Sequence, residues 1–519
     1  MALTLAICGL IILSNKLKVA YPILLVLAGL GISVIPGMPA MKLSPDLIML
    51  IFLPPILYEA AANNSWKEIW KWRRIISSFA FIVVFITACS VALFANYFIP
   101  GVSIAIGFLL GGIVSPPDAV SAAAIMKFVK VPKRLSVILE GESLFNDASS
   151  LIIVKFALIA IGIGQIVWYE ALGSFVWMVV GGIGAGVLLT MVFTRIQKWM
   201  PDDENIDTIV SIVIPYMLYL AAEEIGSSGV LSVVSGGLYF SYHRIRLIKA
   251  SSRLQAQSVW RSLTFMLNGY AFMLIGLDLN EITTTIQANG VSLWTVVGYG
   301  VMITIVLILV RIACAYGAVG VTFVMRNFIT VADRNMPGMG APMLLGWTGM
   351  RGVVSLAAAL STPLTLKDGA PFPMRSEILL ITFVVILLTL VVQGLTLPLF
   401  IKRFHFPDYG DYLPEEVAKR FIRRGLAETS LQRLQAMGEC DDSHQSIILH
   451  GMVKHWGEQI EKEDPRTLYG DSREVYIDIL NEQRLWLNRL NKENPKIDED
   501  LVRHYIHRID LEEERLRAD

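Results

Sequence analysis

Two scarcities set the frame for this chain. Only four cysteines occur, Cys8, Cys89, Cys314 and Cys440, and none has zinc-site or disulfide-framework spacing. That excludes a metal-stapled or disulfide-built scaffold. The first three lie in apolar blocks and read as small buried side chains. Charge is also scarce: 17% of residues are Asp, Glu, Lys or Arg, and the formal net charge is +0. A soluble domain carries roughly 25%. A balanced chain with no nucleic-acid motif argues against a nucleic-acid partner. There is no Walker A sequence and no HExxH motif, and no nucleophile–base pair stands out, so neither ATP nor any cofactor is expected. The opening MALTLAICGLIILSNKLK has no basic n-region and no small-residue cleavage site, so it reads as a short first membrane helix rather than a cleaved signal.

Apolar residues are abundant: 54% of the chain is hydrophobic and the mean hydropathy is +0.58. They are concentrated in blocks before about residue 403. A membrane-spanning helix needs roughly 20 mostly apolar residues. About thirteen segments qualify, near 2–14, 18–36, 46–63, 74–98, 102–126, 134–163, 171–195, 206–224, 228–242, 258–279, 290–325, 339–364 and 376–402.

Basic residues favour the cytoplasmic face. Loops 15–18, 67–74, 127–134, 195–199, 243–253, 326–335 and 402–404 are basic and fall on one side; the intervening loops, such as 97–103 and 278–290, are poor in Lys and Arg. This predicts an outside N-terminus and a cytoplasmic C-terminus, which an odd number of spans satisfies. After Phe404 the composition turns charged, with helical periodicity and with Pro465 and Pro495 as expected breaks. The expected organisation is a membrane domain over 1–403 and a cytoplasmic helical tail over 404–519. The tail reads either as an ordinary solvated bundle or as a regulatory or dimerising element, with a ligand or partner of its own.

Within the apolar part, three segments carry polar residues at membrane depth, where they are costly and usually functional. The first is EGESLFNDASS (140–150). As a helix it puts Ser143, Asn146, Asp147 and Ser150 at i, i+3, i+4 and i+7, on one face. Interhelical hydrogen bonding accounts for the serines. It does not account for a carboxylate, so Asp147 is expected to be functional. The second is GGIVSPPDAVSAAAI (111–125), where two prolines remove backbone donors and break the helix. Freed carbonyls there, including that of Pro117, can coordinate a cation. Asp118 has two readings, a cation ligand or a counter-charge to the N-terminal end of the second half-helix, the latter preferred.

The third segment is LLGWTGMRGVVSLAAALS (344–361), where Gly346, Gly349 and Gly352 weaken the helix beside Arg351. Arg351 needs compensation, and a structural ion pair is expected. Glu142 is one partner for it, and Arg311 competes for that carboxylate. Glu59, in IFLPPILYEAA (51–61), reads either as a carboxylate near the membrane surface or as part of the ion path. The two breaks fall in the fifth and twelfth segments. If segments 1–6 and 8–13 are repeats, they are inverted, and paired interrupted helices point to a transporter site near the midplane.

These motifs carry a resemblance. GESLFND, SPPDAVSA, FLPPILYEAA, GWTGMRGVVSLA and AAEEIGSSGVLSVVSGG (221–237) together resemble, over residues 1–403, the monovalent cation:proton antiporters of the sodium/hydrogen exchanger type, in particular bacterial NhaP-like members. The resemblance implies an all-α polytopic fold with about 13 transmembrane helices, core and dimer domains and a homodimer in the cell membrane. It implies that Asp147 binds cation and proton in turn, supported by Asn146, with contributions from Ser143 and Glu59, and that Glu142 is held by an arginine. Asn-Asp at 146–147 goes, in that family, with electroneutral exchange. The chain departs from the family at Pro117, where a Thr is common, and at Ala119, where a Pro is common. The expectation is therefore Na⁺ (or Li⁺)/H⁺ antiport, with K⁺/H⁺ exchange on the same fold as the runner-up and a cation channel as the reading from a different class.

Overall fold

Inside a bilayer every backbone polar group must be satisfied within the chain, so long apolar runs become helices. The computed structural model of the chain shows this throughout. It describes residues 2–17, 20–33, 45–126, 131–163, 168–200, 203–277, 279–288, 290–325, 338–366, 370–404, 406, 412–437 and 473–518. Cys440, Pro465 and the basic loop 326–335 lie outside the described residues.

The first helices are α1 (Ala2–Leu17), α2 (Tyr21–Ser33), α3 (Pro45–Asn63) and α4 (Trp66–Phe98). The first broken pair follows, α5 (Ile104–Val114) and α6 (Ala119–Met126). Then come α7 (Lys133–Ile163), α8 (Trp168–Gln197), α9 (Glu204–Glu224), α10 (Gly229–Leu247), α11 (Ala250–Leu277), α12 (Leu279–Ala288) and α13 (Leu293–Met325). The second broken pair is α14 (Gly340–Trp347) and α15 (Val353–Leu360), followed by α16 (Arg375–Arg403). The last described helices are α17 (Glu415–Met437), α18 (Arg473–Glu493) and α19 (Glu499–Ala518). Among the described residues the only β pairing is the isolated bridge Thr365–Pro371.

The expected spans fall on these helices or half-helix pairs with shifted ends; the tenth begins at Ala250 rather than 258. The short helix α12 lies where the sequence suggested a loop. By length and composition, seven described segments can cross a membrane: α4, α5 with α6, α7, α8, α9, α13 and α16. Two helices contain a π-helical segment, Ser78–Val83 in α4 and Thr389–Gln393 in α16. Each insertion widens the ladder and redirects backbone carbonyls, a local device that marks functional positions.

Contact clustering divides the chain into two units: Met1–Ile196 with Ser211–Ser241 and Trp260–Pro407, and Gln197–Val210 with Tyr242–Val259 and Asp408–Asp519. The first unit contains one large apolar cluster. It takes Val91 and Ala95 from α4, Leu109 and Ile113 from α5, Val154 and Ala157 from α7, Ile303 and Leu307 from α13, Ala358 from α15 and Ile381 and Val385 from α16. Glycines let these helices approach: a Cβ at Gly107 would lie 2.7 Å from the carbonyl oxygen of Ala92.

In the second unit α17, α18 and α19 share a core of Ile422, Ile479, Leu480, Leu487, Val502 and Ile509. The chain turns between α18 and α19 around Pro495, as its missing donor predicts. Buried charges in this unit are paired: Arg484 Nε donates to Asp510 Oδ1 at 2.9 Å, Arg253 Nε donates to Asp510 Oδ2 at 3.0 Å, and Arg484 also pairs with Glu513.

Candidate ion-binding site

The two broken helices cross at their unwound segments. Between α5 and α6 the chain leaves helical hydrogen bonding over 115–118, and between α14 and α15 over 348–352. At the crossing the backbone N–H of Asp118 donates to the carbonyl of Met350 at 2.7 Å. Gly352 is required here, because a Cβ would collide with the Asp118 carboxylate. The glycines that weaken the helix in sequence thus also make room for its partner.

The crossing leaves two half-helix ends at the same depth, and each has a charged side chain on it. Asp118 caps the start of α6: Oδ1 accepts from the Val120 N–H at 2.9 Å and Oδ2 from the Ser121 hydroxyl at 2.6 Å. Arg351 faces the end of α5: its Nε donates to the Val114 carbonyl at 2.7 Å, and its Nη1 to the Gly349 carbonyl. A carboxylate on a helix N-terminus and a guanidinium on a C-terminus both oppose the local dipole charge. Of the two readings open for Asp118, this geometry supports the counter-charge. Both of its oxygens accept within its own half-helix.

The partner of Glu142 is Arg311. The pair is bidentate, Nη1 to Oε1 at 2.6 Å and Nη2 to Oε2 at 2.9 Å, with both side chains at most 3% exposed. Arg311 Nε donates further to the Leu345 carbonyl at 3.2 Å. Arg351 spends its hydrogen bonds on backbone carbonyls instead. Gly349 again serves close approach, since a Cβ there would collide with the Arg311 side chain.

Helix α7 brings its polar face to this crossing. Ser143 Oγ accepts from the Ala119 N–H at 3.2 Å, and Ser150 Oγ donates to the Gly112 carbonyl at 2.7 Å. Asn146 Nδ2 donates to the Pro117 carbonyl at 2.9 Å. Asn146 is fully buried, yet its Oδ1 has no hydrogen-bond partner. Asp147 is 5% exposed, and among the described residues its carboxylate makes no hydrogen bond. Two adjacent side chains thus present uncommitted oxygens beside the break. Glu59 accepts from Asn63 Nδ2 at 2.6 Å on its own helix.

This donor set suits a hard monovalent cation. Carboxylate, amide and carbonyl oxygens are available, and the Pro117 carbonyl retains a second lone pair. Among the described residues no group of three or more His, Cys, Asp or Glu could hold a transition metal.

Sequence reasoning missed two elements of the surroundings. Thr389, in the π segment of α16, accepts from the Arg351 N–H at 3.1 Å through Oγ1. Ala80, in the π segment of α4, offers its carbonyl to the Ser149 hydroxyl. A π insertion has no composition signal, because it depends on which carbonyls the neighbouring helix can satisfy.

Residues 2–403 match the family model described as "Sodium/hydrogen exchanger, transmembrane". The chain is 30% identical over 494 residues to the "Sodium, potassium, lithium and rubidium/H(+) antiporter" of Bacillus pumilus, covering 92% of this chain and 67% of that protein. It is 34% identical over 367 residues to the protein of the same name from Bacillus subtilis, covering 69% of this chain and 54% of that protein; the alignment thus spans about half of that relative's length. It is 33% identical over 426 residues to the "Na(+)/H(+) antiporter ApNhaP" of Aphanothece halophytica, covering 81% and 76%. In three dimensions it is similar to the sodium proton antiporter MjNhaP1 from Methanocaldococcus jannaschii, with a TM-score of 0.60 and 18% identity over 78% of this chain and 96% of that one, which bears on the fold. With the family match running through the membrane helices and the crossing, the chain belongs to the sodium/hydrogen exchanger family of integral-membrane cation:proton antiporters, transporters rather than enzymes.

Proposed function

We propose that the protein exchanges Na⁺ or Li⁺ for H⁺ across a cell membrane, one cation for one proton, with both ions competing for Asp147. The observation that carries this reading is the uncommitted Asp147 carboxylate beside the orphaned Oδ1 of Asn146, at the crossing of two broken helices. A carboxylate holding either a proton or a cation, never both, couples the two fluxes without ATP. Asn146, Ser143 and Pro117 hold the site: Asn146 supplies an oxygen and fixes the Pro117 carbonyl, and Ser143 ties α7 to α6. Asp118 and Arg351 neutralise the half-helix ends, and Arg311 with Glu142 anchors α13 to α7.

Alternating access follows from one helix group moving against another around the fixed site. The thirteen-span arrangement with inverted repeats, the outside N-terminus, the cytoplasmic tail over 404–519 and a homodimer belong to the same proposal. The names of the two Bacillus relatives favour a second reading, in which K⁺ is also carried.

The test is proton movement in proteoliposomes with a trapped pH dye. Na⁺, Li⁺, K⁺ and choline are pulsed at matched ionic strength, with and without clamped membrane potential. Proton efflux that follows Na⁺ and ignores the clamp is expected. Cation entry with no proton counterflow would favour the channel.

A further inference from the structure

One charge in the spanning helices has no part in the site described above. Lys155 interrupts the apolar run LIIVKFALIAIGI of α7, eight residues beyond Asp147, and so lies about 12 Å along the same helix. Its Nζ sits 3.1 Å from Glu223 Oε2, near the end of α9. The other oxygen of Glu223 accepts from the N–H of Gly229, the first residue of α10, at 3.1 Å.

The two partners belong to different helix groups. Lys155 lies between Val154 and Ala157 of α7, both members of the large apolar cluster shared with α4, α5, α13, α15 and α16. Glu223 is fixed to helices outside that cluster. The turn after it uses Gly226 at φ +68°, and Trp177 Nε1 of α8 donates to the Ile225 carbonyl at 3.1 Å. The Ser228 N–H donates to the Met178 carbonyl at 3.2 Å, and Ser232 Oγ of α10 donates to the Leu218 carbonyl of α9 at 2.9 Å. Gly237 of α10 packs on α3, where a Cβ would lie 3.2 Å from the Tyr58 carbonyl oxygen. Helices α8, α9 and α10 therefore hold Glu223 as one packed group.

We propose that the Lys155–Glu223 ion pair is a gate: a latch between the Asp147-bearing helix group and the α8–α10 group that closes one mouth of the ion path and must part when that mouth opens. This rests on the alternating-access reading above. The side chains are 45% and 38% exposed, so parting the pair strands neither charge inside the protein, and its strength is below that of an enclosed bridge. A latch of this strength holds one conformation while leaving the cycle reversible. A tightly buried pair such as Glu142–Arg311 would be too costly to break in every turnover.

The test places cysteines at both positions, Lys155→Cys and Glu223→Cys, in a background with Cys8, Cys89, Cys314 and Cys440 replaced by serine. The two thiols are joined by a bifunctional methanethiosulfonate whose reach matches the two side chains it replaces. The crosslink is scored by mass spectrometry, and exchange is measured in proteoliposomes before linking, after linking and after reduction. The expected result is a fall of at least tenfold on linking, full recovery with reductant, and no effect in either single-cysteine protein. Failure of the link to form, or parental exchange in the linked protein, overturns the gate. Absence of exchange in the unaltered protein in the same vesicles would instead count against the antiport reading itself. Charge reversal gives a second readout. Lys155→Glu and Glu223→Lys singly are expected to change the exchange rate by about two- to fivefold, and the double reversal to restore it; unchanged singles overturn the proposal.

Discussion

Arg311 and Glu142 form a buried fork-to-fork pair that ties α13 to α7 within two turns of Asp147. The planar guanidinium matches both carboxylate oxygens, a geometry that lysine cannot reproduce. Removing one member leaves the other charged and uncompensated. Glu142→Gln is expected to destabilise the membrane domain by about 3–5 kcal/mol. A lowered melting temperature in detergent with reduced expression is the outcome to look for. A well-expressed, stable and inactive Glu142→Gln would contradict a structural role and place Glu142 in the ion path.

Asp147→Asn keeps the shape of the side chain and removes its negative charge. Exchange is expected to vanish while the melting temperature stays close to that of the parent. Retained exchange would move the site elsewhere.

If proton and cation compete for one carboxylate, the apparent KM for Na⁺ follows mass action. In the range where the proton predominates, KM should rise by about tenfold for each unit fall in pH. At higher pH, where the proton no longer competes, KM should become flat. Initial rates over a grid of Na⁺ concentration and pH decide this, and a KM independent of pH throughout would sink the competition.

Asp118 and Gly352 test the crossing. Asp118→Asn retains a capping oxygen and is expected to support exchange at a reduced rate. Asp118→Ala loses the cap and should cost about 1 kcal/mol or more of stability. Gly352→Ala drives a methyl group into the Asp118 carboxylate and should disrupt both stability and exchange. Near-parental exchange in Gly352→Ala would show that the two breaks need not touch.

In the second unit, Asp510 accepts from both Arg253 and Arg484. Asp510→Ala leaves the buried Arg253 guanidinium without its carboxylate and Arg484 with Glu513 as its one buried acidic partner. Loss of protease resistance in the α17–α19 region is expected, and unchanged resistance would mean that the pair contributes little.

Much of this protein was legible in the sequence because the bilayer simplifies the physics. Apolar runs must be helical there, so the apolar helices, the all-α class and the two breaks at Pro116–Pro117 and Gly349–Gly352 could be read from residue types alone. The same cost argument singled out Asp147, Asn146, Glu142 and Arg351, since polar groups at that depth need a reason. Tertiary structure decided who pairs with whom. Arg311 rather than Arg351 meets Glu142, and Asp118 spends its oxygens on its own helix. Lys155 meets a carboxylate 68 residues away. Sequence periodicity gives the face on which a side chain sits. Which neighbour that face meets depends on how helices distant in the chain pack, and that is a matter of close approach at glycines and of carbonyls released at breaks and π insertions.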